Sequence, residues 1–161
     1  MATSRIVTVS YKVHDALEGT SIADRELLRE ATSAAARAYA PYSRFHVGAA
    51  LRLAHGDVVI GNNQENASFP AGICAERTAL HAAMSCHPQG VVTTMAIAVP
   101  AVPGDRPVSP CGICRQALLE QEHRQGSPIR LLLATTSGTV YELERAGDLL
   151  PLSFDASFLN T

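Results

Sequence analysis

TTMAIAVPA (residues 93–101) and IRLLLATT (residues 129–136) are unbroken apolar runs of strand length, and CGICRQALLEQEH (residues 111–123) lies between them with a helical pattern. Two apolar strands joined through a helix make a parallel pair covered on both faces, because a strand buried on both sides has no polar alternation. The flanking sequence extends this unit. FHVGAALRLA (residues 45–54) alternates with Phe45, Val47, Ala49, Leu51 and Leu53 in phase, turns at His55-Gly56-Asp57, and resumes as VVIGNN, which predicts a hairpin. A helix runs from Cys74 to about Cys86. TVYELE (residues 139–144) follows a turn at Ser137-Gly138 as a last short strand, and Asp148-Leu149-Leu150-Pro151 reads as one helical turn before the tail.

Upstream, SIADRELLREATSAAARAYA (residues 21–40) has Ser21 and Asp24 spaced as a capping box. Leu27, Leu28, Ala31, Ala35 and Ala38 lie on one side, and Pro41 is the stop. RIVTVSYKV (residues 5–13) alternates over a short stretch and reads either as an edge strand or as a loosely held arm. With no internal repeat, low-complexity tract or linker, the class is α/β, a sheet with helices on its faces.

Bulk properties exclude several functions. A chain of 161 residues, 47% apolar, suits one compact domain that buries roughly 70% of the unfolded chain's surface. A net charge of -2 with scattered basic residues offers no field for a polyanion, so a nucleic-acid polymer is not an expected partner. No apolar run approaches the ~20 residues of a membrane span, and residues 1–10 lack the zones of a signal peptide. The expected location is cytoplasmic. There, four cysteines serve as ligands, nucleophiles or core residues in preference to disulfides.

Three of those cysteines carry chemistry. Cys111 and Cys114 form the Pro-Cys-x-x-Cys of SPCGICRQ, and the i, i+3 spacing at a helix start puts both sulfurs on one face near unpaired N–H groups. Cys74 also opens a helix. Two helix N-termini can thus present three thiols to one point, where partial positive charge favours the thiolate a metal needs. Three soft ligands and a free fourth position describe catalytic zinc. Glu76, two residues after Cys74, is poorly spaced as a ligand and well placed as a general base for a water. A closed structural zinc site lacks a fourth ligand and leaves Glu76 without a role. A redox Cys-x-x-Cys leaves Cys74 without one. Plainer readings exist for single residues: Glu76 as a first-turn carboxylate, Arg77 on the surface, Glu65 and Asn63 in a turn, Phe45 and Phe154 in the core. Cys86 reads as a helix-end packing residue, with His81 and His87 near enough in sequence to raise a second metal site.

CAE followed by PCxxC is similar to the signature of zinc-dependent deaminases. Beyond that signature, PYSRFHVGAAL, GNNQENASF, GICAERTAL, SPCGICRQ and LLPLSF resemble, in order, segments of the small cytidine deaminases that act on free nucleosides. The resemblance covers roughly residues 21–154. It implies a three-layer sandwich with a five-stranded, mixed but mostly parallel sheet, residues 21–161 as the catalytic domain and residues 1–20 as an extension. It implies one zinc per chain on Cys74, Cys111 and Cys114, whose water has a pKa of about 7, and Glu76 moving protons as C4 of cytosine is attacked. Arg77, by hydrogen-bonding the thiolates, would offset their charge. Asn63 and Glu65 match ribose contacts, Phe45 and Ala75 match positions beside the substrate, and Phe154 matches a tail aromatic that closes a neighbouring site in a homotetramer. Phe69 departs from the pattern, since many relatives have Tyr there. Deamination of a nucleotide, a base antibiotic or an RNA base, and a silent nucleoside-binding zinc protein, are the competing readings.

Overall fold

A computed structural model describes residues 2–159. Its regular elements are β1 (Lys12–His14), α1 (Ile22–Ala35), β2 (Gly48–Leu53), β3 (Val58–Asn62), α2 (Ala75–Cys86), β4 (Val92–Ala98), α3 (Gly112–Gln125), β5 (Arg130–Ala134) and β6 (Val140–Leu143). The six strands form one sheet in the order β1-β6-β5-β4-β2-β3.

Three layers are present, as the sequence predicts. Alternation along the strands sorts side chains between two cores. Ala49, Leu51, Leu53, Met95, Ile97, Leu131 and Leu133 meet Ala75, Ala79, Leu80 and Ala83 of α2 and Leu118 of α3 on one face. Ala50, Ala96, Ala98, Leu132 and Val140 meet Leu27, Leu28 and Ala31 of α1 on the other. Small residues let the layers approach closely. A Cβ at Gly61 of β3 would stand 2.4 Å from the Ala79 nitrogen and 2.5 Å from the Ala75 oxygen, so α2 seats directly on the strand backbone.

Two expectations about the sheet need correction: it has six strands, not five, and it is mostly antiparallel. Only β4 and β5 pair in parallel. The helix between them forces that arrangement, because parallel neighbours need a long crossover. The β3-α2-β4 connection is also a crossover, but β2 inserts between its strands and pairs antiparallel with both. The sixth strand is β1, antiparallel to β6 through Lys12↔Glu142, Val13↔Tyr141 and His14↔Val140. The edge-strand reading of residues 5–13 thus holds only at its C-terminal end.

Ser21 caps α1 by accepting from the Asp24 N–H at 3.1 Å. The Asp24 carboxylate does not reach back to the Ser21 backbone N–H and accepts from the Arg130 guanidinium, with Nη1 at 3.1 Å. The helix ends at Ala35, earlier than Pro41 implied. Tyr39 has left it to pair with the loop after β3: its N–H reaches the Asn63 oxygen at 3.0 Å, and its oxygen accepts from the Glu65 N–H at 2.8 Å. Gln64 pairs in turn with Ile73, N to O at 2.9 Å and O to N at 3.0 Å. This patch of three segments delivers residues 39–45, 63–65 and 73–74 to one place.

The helical turn after β6 spans Ala146–Leu149, two residues before the predicted position. Buried Glu122 sets it there, accepting from the N–H groups of Ile129 (2.9 Å), Ala146 (3.0 Å) and Gly147 (3.2 Å) and from Arg145 Nε (3.1 Å).

Candidate metal centre and active site

Cys74 and Cys111 are the N-caps of α2 and α3, both in extended backbone conformation, and neither side chain makes a capping hydrogen bond. Their sulfurs are therefore free to face each other. Cys74 Sγ lies 3.8 Å from Cys111 Sγ, and Cys111 Sγ lies 3.5 Å from Cys114 Sγ, which is buried in the first turn of α3. All three lie within 4.8 Å of one another. With Zn–S bonds of about 2.3 Å, two sulfurs of a tetrahedral site stand about 3.8 Å apart. The cluster fits a zinc ion, and Cys86 is exposed and outside it.

Charge in the cluster is divided unevenly. Hydrogen bonding from the Cys114 thiol, aided by the Cys111 thiol and the Arg77 guanidinium, pulls the Cys74 thiol down to about 5 despite partial burial. Cys114 moves the other way, because it gives that hydrogen bond and is desolvated. Both shifts describe sulfurs that hold negative charge between them, the condition a soft cation relieves. Arg77 Nε is buried with no hydrogen-bond partner. A buried guanidinium N–H without a partner is a donor left for another acceptor.

Glu76 sits in the first turn of α2, 6% exposed. Burial pushes its carboxyl above the usual range, and the Cys74 charge adds to the effect. A carboxyl raised in this way takes up a proton at a pH where an ordinary glutamate would not. Ala75 before it is fully buried against the sheet.

An open cleft of about 650 Å³ reaches Cys74, with Ser43, Asn63, Glu65, Phe69 and Arg77 among its other walls. Asn63 is braced by backbone: Oδ1 accepts from the Val47 N–H at 2.8 Å, and Nδ2 donates to the Phe45 oxygen at 2.8 Å. One Nδ2 hydrogen and one Oδ1 lone pair remain for a ligand. Glu65 accepts from the N–H groups of Tyr42 (2.9 Å) and Ser43 (3.3 Å) and from the Ser43 hydroxyl. That hydroxyl, chiefly, holds the Glu65 carboxyl below its ordinary value. Phe45 is tied to the same loop, its N–H donating to Ser43 Oγ at 3.0 Å. The sequence singled out neither Tyr42 nor Ser43, although both lie in a quoted segment; a short polar pair gives no chemical signal until Glu65 is seen to clamp it.

Phe154 is not a wall of this cleft. It stacks on Phe158 with ring centroids 5.8 Å apart and is 57% exposed. Its carbonyl accepts from Gln116 Nε2 at 3.0 Å. Arg115, also unassigned from sequence, joins the tail to the Cys111 loop by donating to the oxygens of Pro110 (2.8 Å) and Leu149 (2.9 Å) and to Ser109 Oγ (3.2 Å).

Residues 21–125 match the family described as the cytidine and deoxycytidylate deaminase zinc-binding region. The chain belongs to that family. The matched residues contain all three clustered cysteines, Glu76 and Arg77. Among the family's proteins, a cytidine deaminase of Halalkalibacterium halodurans is 44% identical over 138 residues, 85% of this chain and 98% of the relative. A cytidine deaminase of Mycobacterium tuberculosis is 41% identical over 136 residues, 81% of this chain and 90% of the relative. In three dimensions, the cytidine deaminase of Burkholderia pseudomallei superposes with a TM-score of 0.71 at 38% identity, covering 80% of this chain and 97% of that one. A crystal structure of the Mycobacterium tuberculosis enzyme gives 0.63 at 34%, covering 83% and 98%. Among the described residues no helix is long and apolar enough to cross a membrane.

Proposed function

We propose that this chain hydrolyses cytidine and deoxycytidine to uridine and deoxyuridine, releasing ammonia, a reaction of pyrimidine salvage in the cytoplasm. The observation that carries the reading is the meeting of three sulfurs, within 4.8 Å of one another, at the start of α2, whose first turn holds the buried Glu76 carboxyl. Cys74, Cys111 and Cys114 would hold one zinc ion per chain. A bound zinc ion supplies Lewis acidity that makes water a nucleophile at neutral pH.

The remaining chemistry belongs to the chain. Glu76 takes one proton of the attacking water and gives it to N3 of the ring, then takes the second proton from the hydroxyl now on C4 and delivers it to the exocyclic amine, so that the C4–N bond cleaves, the C4 carbonyl forms and ammonia leaves. Its raised pKa suits both halves of that cycle. Arg77 spreads positive charge towards the sulfurs, limiting how far three thiolates weaken the electrophile. Asn63 and Glu65 hold the ribose hydroxyls, Phe45 flanks the ring, and the backbone around Ala75 borders the base.

Residues 21–161 form the catalytic domain in this reading, and residues 1–20 are an extension that supplies β1. Phe154, exposed and away from its own cleft, acts on a neighbouring subunit's substrate in a homotetramer. A spectrophotometric assay on cytidine, deoxycytidine, CMP and adenosine, with metal analysis of the same sample, tests the reading. Turnover of the two nucleosides with one zinc per chain is expected. Glu65 places negative charge beside the sugar, so CMP should be poor. Equal kcat/KM for CMP and cytidine, or no turnover of either nucleoside by the zinc-loaded protein, overturns it.

A further inference from the structure

The far end of α2 carries a second cluster of metal-ligating side chains. His55 and Asp57 lie in the turn joining β2 to β3, and His87 is the C-cap of α2. His55 Nε2 stands 3.0 Å from Asp57 Oδ2, and His87 Nε2 stands 3.8 Å from that same oxygen. One ligand atom from each residue lies within 4.8 Å of the others. Cys86 and His81, the neighbours that made His87 suspect in the sequence, are not members of this group.

We infer that His55, Asp57 and His87 form a peripheral binding site for a first-row divalent transition-metal ion, with two imidazoles and one carboxylate as ligands. Metal bonds of about 2.1 Å put adjacent nitrogen and oxygen ligands roughly 3.0 to 3.4 Å apart. The observed 3.0 and 3.8 Å bracket that span, so small side-chain rotations close the site.

The backbone holding the ligands is fixed. Gly56, at φ +103°, makes the turn between His55 and Asp57, and its N–H reaches the Leu53 oxygen at 2.9 Å. The Leu53 N–H reaches the Asp57 oxygen at 2.9 Å. The His87 N–H donates to the Ala83 oxygen, and its own oxygen accepts from the Gly90 N–H, both at 2.8 Å. The local charge also invites a cation. α2 has no basic residue in its last turn, so its C-terminal carbonyls present an unopposed partial negative charge. Among the described residues, the two histidines are the only basic side chains whose nitrogens lie within 4.0 Å of the Asp57 carboxylate.

Imidazole nitrogen with a single carboxylate favours zinc, nickel or copper over magnesium or calcium, which prefer all-oxygen shells. A bound ion would staple the β2–β3 turn to the end of α2, roughly 20 Å along the helix from Cys74. Its expected effect is on stability, not on turnover.

Equilibrium dialysis of the zinc-loaded, untagged protein against rising Zn2+ tests the site, with zinc counted per chain. A second, weaker equivalent is expected, raising Tm as it binds. His87→Gln and Asp57→Asn should each weaken it by at least ~10-fold, the lower cost of losing even an outer-shell partner, while the first equivalent and the turnover stay. Cys86→Ser should leave both equivalents. Added Cu2+ should give an electron paramagnetic resonance signal with nitrogen couplings that His55→Gln diminishes. A wild-type protein that stops at one zinc in large excess overturns the site. So does a second equivalent that survives His55→Gln with His87→Gln, or one that Cys86→Ser abolishes; in those cases the cluster is an ordinary His–Asp hydrogen-bonded group.

Discussion

Cys74 and Cys111 each cap a helix, and their sulfurs lie 3.8 Å apart although 37 positions separate them in the chain. A metal held there cross-links α2 to α3, so its loss should cost structure as well as activity. Cys74→Ala, Cys111→Ala and Cys114→Ala should each lose zinc and lower Tm, and Cys86→Ser should keep both. Zinc per chain and thermal unfolding of the same samples check this. Full metal occupancy after Cys74→Ala would contradict the assignment.

Glu76 should separate from metal binding. Glu76→Gln keeps the shape of the side chain but cannot accept a proton, so turnover should fall by ~10²-fold to 10⁴-fold, the usual worth of a positioned acid or base. Zinc content should not change. Near-normal kcat in this variant would remove Glu76 from the proton path.

The sites nearest a chemical motif were legible in the sequence, and those made by long-range pairing were not. The cluster of Cys74, Cys111 and Cys114 could be read because ligand spacing at a helix start is local. That Arg77 Nε is buried without a hydrogen-bond partner could not be read, because a side chain's partners are set by the fold. The place of β2 between β3 and β4 could not be read, because periodicity reports burial and says nothing of which strand is adjacent. The clamp of Glu65 on Ser43 depends on Tyr39 leaving α1 to pair with residues 63–65, a tertiary contact without a local signal. For the same reason His87 drew attention beside Cys86 and His81, when its partners are His55 and Asp57 across the fold.

Acid should loosen the sheet at the β1–β6–β5 edge. Burial alone would raise the Asp24 carboxyl, but hydrogen bonds from Arg130 and Ser21 override it and hold the pKa below its ordinary value. Glu142 is likewise lowered against burial, by His14, Arg130 and Lys12. A carboxylate with a depressed folded pKa contributes stability that is fully present above the unfolded value near 4 and is lost as pH falls through the folded one. Urea unfolding should therefore show stability dropping below about pH 4. Asp24→Asn should cost about 1 to 3 kcal/mol at neutral pH, since Arg130 loses its most buried partner, and should flatten the acid dependence. An unchanged slope in that variant would assign the acid sensitivity elsewhere.

Phe154 tests whether sites are shared. The tail that carries it is anchored at its start by Arg115 on the Leu149 oxygen and further along by Gln116 on the Phe154 oxygen, yet the ring itself is exposed and touches Phe158. Leu152, Phe158 and Leu159 are also exposed in the single chain. An apolar group held in place by polar anchors and left uncovered is poised for another surface. If that surface is a neighbour's substrate, Phe154→Ala should raise KM with little change in Tm, because stacking a base on an aromatic ring is worth about 1 to 3 kcal/mol. Mixing Phe154→Ala chains with Glu76→Gln chains then gives a direct readout. After subunit exchange, some sites combine an intact Glu76 with a neighbour's intact Phe154, and activity at low cytidine should exceed the sum of the two parents. Light scattering establishes whether the chains associate at the assay concentration. A monomer, or no gain after exchange has been verified, would place Phe154 in the packing of its own tail and leave each cleft to work alone.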